Sequence, residues 1–94
     1  SDMEASQTLR EWARYLGSQW PERRWQLLTR PDGVELLVRD YHLSHEEQID
    51  LVAELRARVP SSSPPPERIW LNGQVIWHAE SVMSHSMTGG QHGG

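Results

Sequence analysis

The chain has no cysteine and no phenylalanine, and all nine of its basic residues are arginine. Without cysteine it cannot form a disulfide framework, a thiolate nucleophile, or a cysteine-ligated zinc or iron-sulfur site. Without lysine it cannot form a Schiff base or a P-loop phosphate site. These absences exclude several large classes of enzyme before any motif is considered.

Long apolar runs and basic tracts are also missing. No stretch approaches the roughly 18 apolar residues of a membrane span, and the net charge is -4. An acidic chain without a polybasic patch is not expected to bind nucleic acid. We interpret residues 1–3 as a cloning remnant and start. The beginning of the chain has no signal-peptide pattern, and we predict a cytoplasmic protein without a cofactor.

Ninety-four residues are enough for one small core. We predict a single α+β domain over residues 4–80 and a flexible tail, rich in serine, histidine, methionine and glycine, over residues 81–94. Apolar residues at spacings of three and four predict a helix from Glu4 to Trp20, in which Thr8 and Glu11 have the spacing of a capping box. Ser44 and Glu47 have the same spacing at the start of a second predicted helix, which ends near Val59. The residues predicted to face the core are Leu9, Trp12, Ala13, Leu16 and Trp20 in the first helix, and Leu51, Val52, Leu55 and Val59 in the second.

Two hairpins are predicted, one before and one after the second helix. Arg30-Pro31-Asp32-Gly33 joins strands over 24–29 and 34–40, and Asn72-Gly73 joins strands over 68–71 and 74–80. In the first hairpin we expect Thr29 opposite Val34, because this register places the apolar side chains on one face. The element order is therefore α-β-β-α-β-β, with two helices packed on a four-stranded antiparallel sheet.

The second hairpin is apolar on both faces. A two-residue turn would place Trp70 opposite Val75 and Ile69 opposite Ile76, so that Trp70, Val75 and Trp77 share one face with Arg68. Either one helix covers each face, or the tail folds back, or one face binds a partner or a second copy. Tryptophan and arginine are enriched at binding hot spots. We predict a non-catalytic protein-binding module, such as an adaptor, assembly factor or regulatory partner, with the binding residues Trp70, Trp77, Arg68, Val75, Tyr41 and Trp20.

A second hypothesis concerns metal. Thioether and imidazole groups are soft ligands that suit copper(I), and the C-terminal part of the chain supplies several of them. The alternative function is therefore copper or nickel binding, with the ligands His78, Met83, His85 and Met87.

A third hypothesis comes from a family resemblance. From Trp25 to Glu80 the chain resembles a ubiquitin-type β-grasp module, with residues 44–59 as the crossing helix and residues 65–73 as the following loop and strand. The resemblance implies that Gly93-Gly94 would be the activated end for conjugation or sulfur carriage. It also implies a last strand in the centre of the sheet, whereas the residues after Ser81 are polar and rich in glycine.

Catalysis is not predicted. Acidic side chains lie near His42 and His45, and a carboxylate beside an imidazole can act as an acid/base pair. Helix capping and the helix dipole already account for those acidic residues. No nucleophile with an orienting base can be named, so we expect a protein that is not an enzyme.

Overall fold

A computed structural model describes residues 2–20, 22 and 24–80 of the chain. The elements are α1 (Asp2–Gln19), β1 (Trp25–Arg30), β2 (Gly33–Val38), α2 (His45–Arg58), a 3-10 turn (Val59–Ser61), β3 (Arg68–Leu71) and β4 (Gln74–His78). This confirms the α+β class and the predicted order. The predicted tail over residues 81–94 lies outside the described residues.

The start of α2 is the predicted capping box. The Glu47 N–H donates to Ser44 Oγ at 3.1 Å, and the Ser44 N–H donates to Glu47 Oε1 at 2.8 Å. The other predicted box is wrong, because Thr8 lies inside α1. Its hydroxyl is fully buried and lies 2.8 Å from the carbonyl oxygen of Pro64. Thr8 therefore joins α1 to the proline-rich segment instead of starting a helix.

The sheet has the strand order β1-β2-β3-β4. β1 and β2 are antiparallel, with Thr29 opposite Val34 as predicted. At the centre the prediction of a purely antiparallel sheet is wrong, since β2 and β3 run parallel. The physical reason is that α2 returns the chain to the end of the sheet from which β2 started, as in other helical crossovers.

A β-bulge shifts the register of the second hairpin. Trp70 is opposite Val75 as predicted, and Asn72 and Gly73 have the positive φ angles, 52° and 87°, of the expected tight turn. Beyond Trp70, however, Ile69 is opposite Trp77 and not Ile76. The extra residue in β4 turns Trp77 to the face of Ile69. Trp77 and Ile76 both pack against the core.

The core lies on one face of the sheet. Leu36 is paired with Ile69 and Val38 with Leu71, and all four side chains are buried in the same cluster as residues of both helices. One helix on each face is therefore not the arrangement found. The buried apolar residues are Trp12, Tyr15, Leu16, Val34, Leu36, Val38, Leu51, Leu55, Val59, Ile69 and Leu71. Leu9, Ala13, Trp20 and Val52, which the helical spacing also predicts to face inward, are only partly buried.

Trp12 connects the core to the segment that follows α2. Its side chain is 1% exposed, and its indole Nε1–H donates to Ser62 Oγ at 3.0 Å. Tyr15, which the helical spacing did not single out, packs edge-on against Trp12 with ring centres 5.9 Å apart. The Arg58 guanidinium lies 4.1 Å from the centre of the Tyr15 ring. The proline-rich segment is thus part of the core boundary, and Pro66 is fully buried.

Candidate functional site

The sheet has a second face that points away from both helices. Because side chains alternate along a strand, the residues next to the core positions of β1, β2 and β3 share this face, with Val75 opposite Trp70. We call it the open face, defined by Leu28, Glu35, Leu37, Arg68, Trp70 and Val75. Both described helices contribute to the core on the other side.

Glu35 is the centre of the open face. Its side chain lies on the face without helices and is nevertheless buried, at 7% exposure. Arg68 Nη1 donates to Glu35 Oε2 at 2.6 Å, and Trp70 Nε1 donates to Glu35 Oε1 at 3.0 Å. Arg30 Nε lies 3.8 Å from Oε2. A buried carboxylate is stable only when it is paired and hydrogen-bonded, and here both oxygens are satisfied.

This arrangement fixes the side chains around Glu35. The indole of Trp70 and the guanidinium of Arg68 are each held in one orientation by the same carboxylate. Both remain accessible, since Trp70 is half-buried and the Arg68 side chain is 33% exposed. Side chains that are already ordered lose less entropy when they bind a partner. The open face therefore presents two side chains that are already ordered.

Apolar surface surrounds the ion pair. Leu28 lies opposite Glu35, and Leu37 pairs with Trp70 across β2 and β3. Both leucines are half-buried, and Val75 is 43% exposed. An apolar patch around a few fixed polar groups is typical of the centre of a binding surface.

The charge of the open face is opposite to that of the whole chain. The four strands contain one acidic residue, Glu35, and two arginines, Arg30 and Arg68. Arg39 follows β2 on the same side of the sheet and is exposed. The face is therefore net positive, whereas the complete chain has a net charge of -4.

The structure brings together three of the predicted binding residues and separates the others. Arg68, Trp70 and Val75 form the open face with Glu35 and the two leucines. Trp77 packs against the core because of the bulge, and Trp20 also packs against it. Tyr41 lies in the turn after β2 with its side chain 72% exposed.

Sequence reasoning missed Glu35, Leu28 and Leu37. The register that places the core residues of the first hairpin on one face also places these residues on the other. That signal was present in the sequence. The sequence did not show which residue lies next to Glu35, because only the parallel pairing of β2 with β3 brings Glu35 beside Arg68.

A second polar cluster surrounds Asp40, at the end of β2. Its carboxylate accepts hydrogen bonds from Trp20 Nε1 at 3.0 Å and from Arg24 Nη1 at 3.1 Å. The Asn72 side chain bonds both backbone groups of Asp40 and thereby joins the two hairpins. The hydrogen bond from Trp20 is the main cause that lowers the pKa of Asp40, helped by the backbone of His42 and by Arg24, against the opposing effect of burial.

We expect the Asp40 pKa to depend on the Trp20 indole. Because the folded pKa is lowered from its ordinary value of 3.8, the carboxylate stabilises the fold above that value and loses the contribution as the pH falls through the folded pKa. Trp20→Phe should raise the Asp40 pKa toward the ordinary value, as measured by NMR titration of the side-chain carboxyl carbon. Trp77→Phe is the matched control. An unchanged Asp40 pKa in Trp20→Phe would show that the indole does not hold the carboxylate.

The described residues contain no assembled metal centre. Within them no group of three histidine, aspartate or glutamate side chains could hold an ion. His78 is exposed, with its Nδ1 3.3 Å from the carbonyl oxygen of Ala79. Met83, His85 and Met87 lie outside the described residues, so the copper or nickel hypothesis stays a prediction.

The β-grasp resemblance meets a difference in the sheet. The part of the chain that the structure describes has four strands, and β2 pairs directly with β3, so no position is open at the centre for a further strand. Gly93-Gly94 lie outside the described ranges, and the conjugation hypothesis stays a prediction.

No family model, curated protein or solved structure matches this chain. In residues 2–20, 22 and 24–80, no helix combines the length and the apolar character that crossing a bilayer requires. The interpretation of the open face therefore depends on its own geometry and charge.

Proposed function

We propose that this chain is a non-catalytic protein-binding module, and that the open face docks an apolar protein surface that carries carboxylates. The observation that supports the proposal most is the buried Glu35 carboxylate, which holds Arg68 and Trp70 in place on a sheet face that neither helix covers. The ion pair of Glu35 with Arg68 also joins β2 to β3, but the solvated face of a small sheet is usually polar, so a tryptophan flanked by leucines there favours contact with another molecule.

The chemistry of the face selects the partner. Trp70, Leu37 and Val75 supply apolar area, and truncating a tryptophan at the centre of an interface typically costs about 2 kcal/mol or more of binding energy. Arg30 and Arg39 lie at the rim, where charges mainly set encounter rate and specificity. Their positive charge favours a partner with acidic residues around an apolar centre.

Site-specific photocross-linking tests the proposal. A benzophenone side chain at Val75 would stand on the open face, and one at Ile49, which is 55% exposed on α2, is the matched control. In a lysate of the native cell, we expect position 75 to give a discrete cross-linked protein whose contact peptide contains apolar and acidic residues. Trp70→Ala should remove this product.

Three results would contradict the proposal. One is equal cross-linking at positions 75 and 49, which would indicate nonspecific contact. Another is a product that survives Trp70→Ala. The third is a product that contains only two copies of the chain, which would assign the open face to self-association.

A further inference from the structure

β1 is an edge strand whose outer side is regular. Among the described residues its one neighbour is β2, and the pairing runs from Trp25 to Arg30 without a bulge. The Arg39 N–H donates to the Arg24 carbonyl oxygen at 2.8 Å. Because antiparallel bonds alternate along a strand, the N–H and C=O groups of Leu27 and Thr29 point away from β2, toward the unpaired edge of the sheet.

The two edges of the sheet differ. β4, at the other edge, contains a bulge. Each edge strand contacts one helix, β1 through α1 and β4 through α2, so the bulge is the difference between them. A bulge is one of the devices by which proteins protect an edge strand from pairing with another chain. β1 has no bulge, no proline and no charged side chain on its core-facing side. Its backbone is therefore available to a further strand.

A groove of about 850 Å³ lies beside residues 24–27 of this edge, and Thr29 lies just beyond it along β1. Its wall on the helix side contains Leu9 and Ala13 together with Arg10 of α1, and Trp25 approaches Gly17 of α1 there. Its outer side reaches Leu37. The lining contains three arginines and no acidic residue: Leu9, Arg10, Ala13, Arg24, Trp25, Gln26, Leu27, Leu37 and Arg39.

We propose that an extended acidic peptide of another protein binds this groove and adds to β1 as a fifth strand. Alternate side chains of such a peptide would face Leu9, Ala13 and Trp25, and the others would face Arg39 on the outer side. Arg24 is already paired with Asp40 and Glu22, so Arg39 and Arg10 are the arginines that would meet the peptide's carboxylates. Main-chain bonds would come from Leu27 and Thr29. This site shares Leu37 and Arg39 with the open face and its rim. Its main-chain bonds, however, come from the edge of β1 alone, so the methylated-peptide arm of the test is separate from the test of the open face.

Charge favours an acidic peptide over two other occupants, a second copy of the chain and residues 81–94. A second copy pairing through β1 would bring its own Arg10, Arg24 and Arg39 against the same arginines. Residues 81–94 of this chain contain no aspartate or glutamate. Arg10 and Arg39 form no ion pair within the described part of the chain, so their charges are available to a carboxylate.

The test is isothermal titration calorimetry. The full chain is titrated with a synthetic peptide in which valine alternates with glutamate, and the dissociation constant and the stoichiometry are measured. We expect one peptide per chain. Arg39→Glu should weaken binding at least about tenfold, since it reverses a charge at the site. Thr29→Pro removes one outward N–H and should weaken binding about threefold to tenfold relative to Thr29→Ala.

A second arm alters only the peptide, and it applies even if Thr29→Pro does not fold. Two peptides are made, each with methylated backbone nitrogens at every second residue. The peptide whose methylated nitrogens face β1 should not bind, and the peptide whose methylated nitrogens face solvent should bind normally. Equal binding of both methylated peptides, or of a valine and lysine peptide, would overturn the proposal. So would an equal loss in Arg56→Glu, which lies on α2 outside the groove. A chain that dimerises through β1 and ignores the peptide would assign the edge to a second copy instead.

Discussion

Trp12→Ala is expected to reduce the free energy of unfolding by about 3 to 5 kcal/mol. The side chain is 1% exposed, packs edge-on against Tyr15 and bonds Ser62. A domain of this size is stable by only about 4 to 12 kcal/mol. The variant should therefore lose much of its stability, with a melting temperature at least about 12 °C lower.

Denaturant unfolding followed by circular dichroism measures this loss. Trp12→Phe is the informative control, because it keeps an aromatic ring beside Tyr15 and removes the indole N–H that bonds Ser62. Its cost should be clearly smaller than that of Trp12→Ala. A loss below about 1 kcal/mol in Trp12→Ala, the range of ordinary surface substitutions and single hydrogen bonds, would contradict a core in which α1 is joined to the segment after α2.

Much of the fold follows from local patterns in the sequence. The capping box at Ser44 fixes the start of α2, and Asn72-Gly73 fixes the second turn, because in each case the required chemistry is complete within a few residues. The register of the first hairpin follows from burial, since only one pairing collects Val34, Leu36 and Val38 with apolar partners on one face.

The remaining features depend on contacts between distant residues. Ile76 and Trp77 are both apolar, so alternation alone could not decide which of them lies opposite Ile69, and the bulge was not predicted. The direction of β3 relative to β2 is set by how α2 crosses the sheet, not by the composition of either strand. Thr8 is buried by Pro64, which is far from it in the chain.

The candidate site shows the same division. Hairpin alternation placed Trp70, Arg68 and Val75 together, and the structure keeps them together. It could not show that Glu35 accepts hydrogen bonds from both Arg68 and Trp70, because the carboxylate comes from the other hairpin. Trp77 was assigned to the wrong face for the reason that the bulge was missed.

Trp70→Ala and Trp77→Ala are expected to have opposite consequences. Trp70 lies on the open face, so its removal should weaken partner binding by about 2 kcal/mol or more, which is about 30-fold. Trp70→Ala also removes the donor to Glu35 Oε1. Its folding cost should nevertheless be modest, since Glu35 keeps its bond to Arg68 and the smaller side chain opens Oε1 to water. Trp77 packs against the core, and its removal should cost about 2 kcal/mol or more of folding stability.

The direct test is the affinity of both variants, per folded molecule, for the protein that cross-links at position 75. The open-face account predicts that Trp70→Ala binds about 30-fold more weakly and that Trp77→Ala binds within about threefold of the original chain, a difference below about 1 kcal/mol. If Trp77→Ala lost affinity as strongly as Trp70→Ala, or if Trp70→Ala bound normally once its unfolded fraction was subtracted, the open face would not be the binding surface.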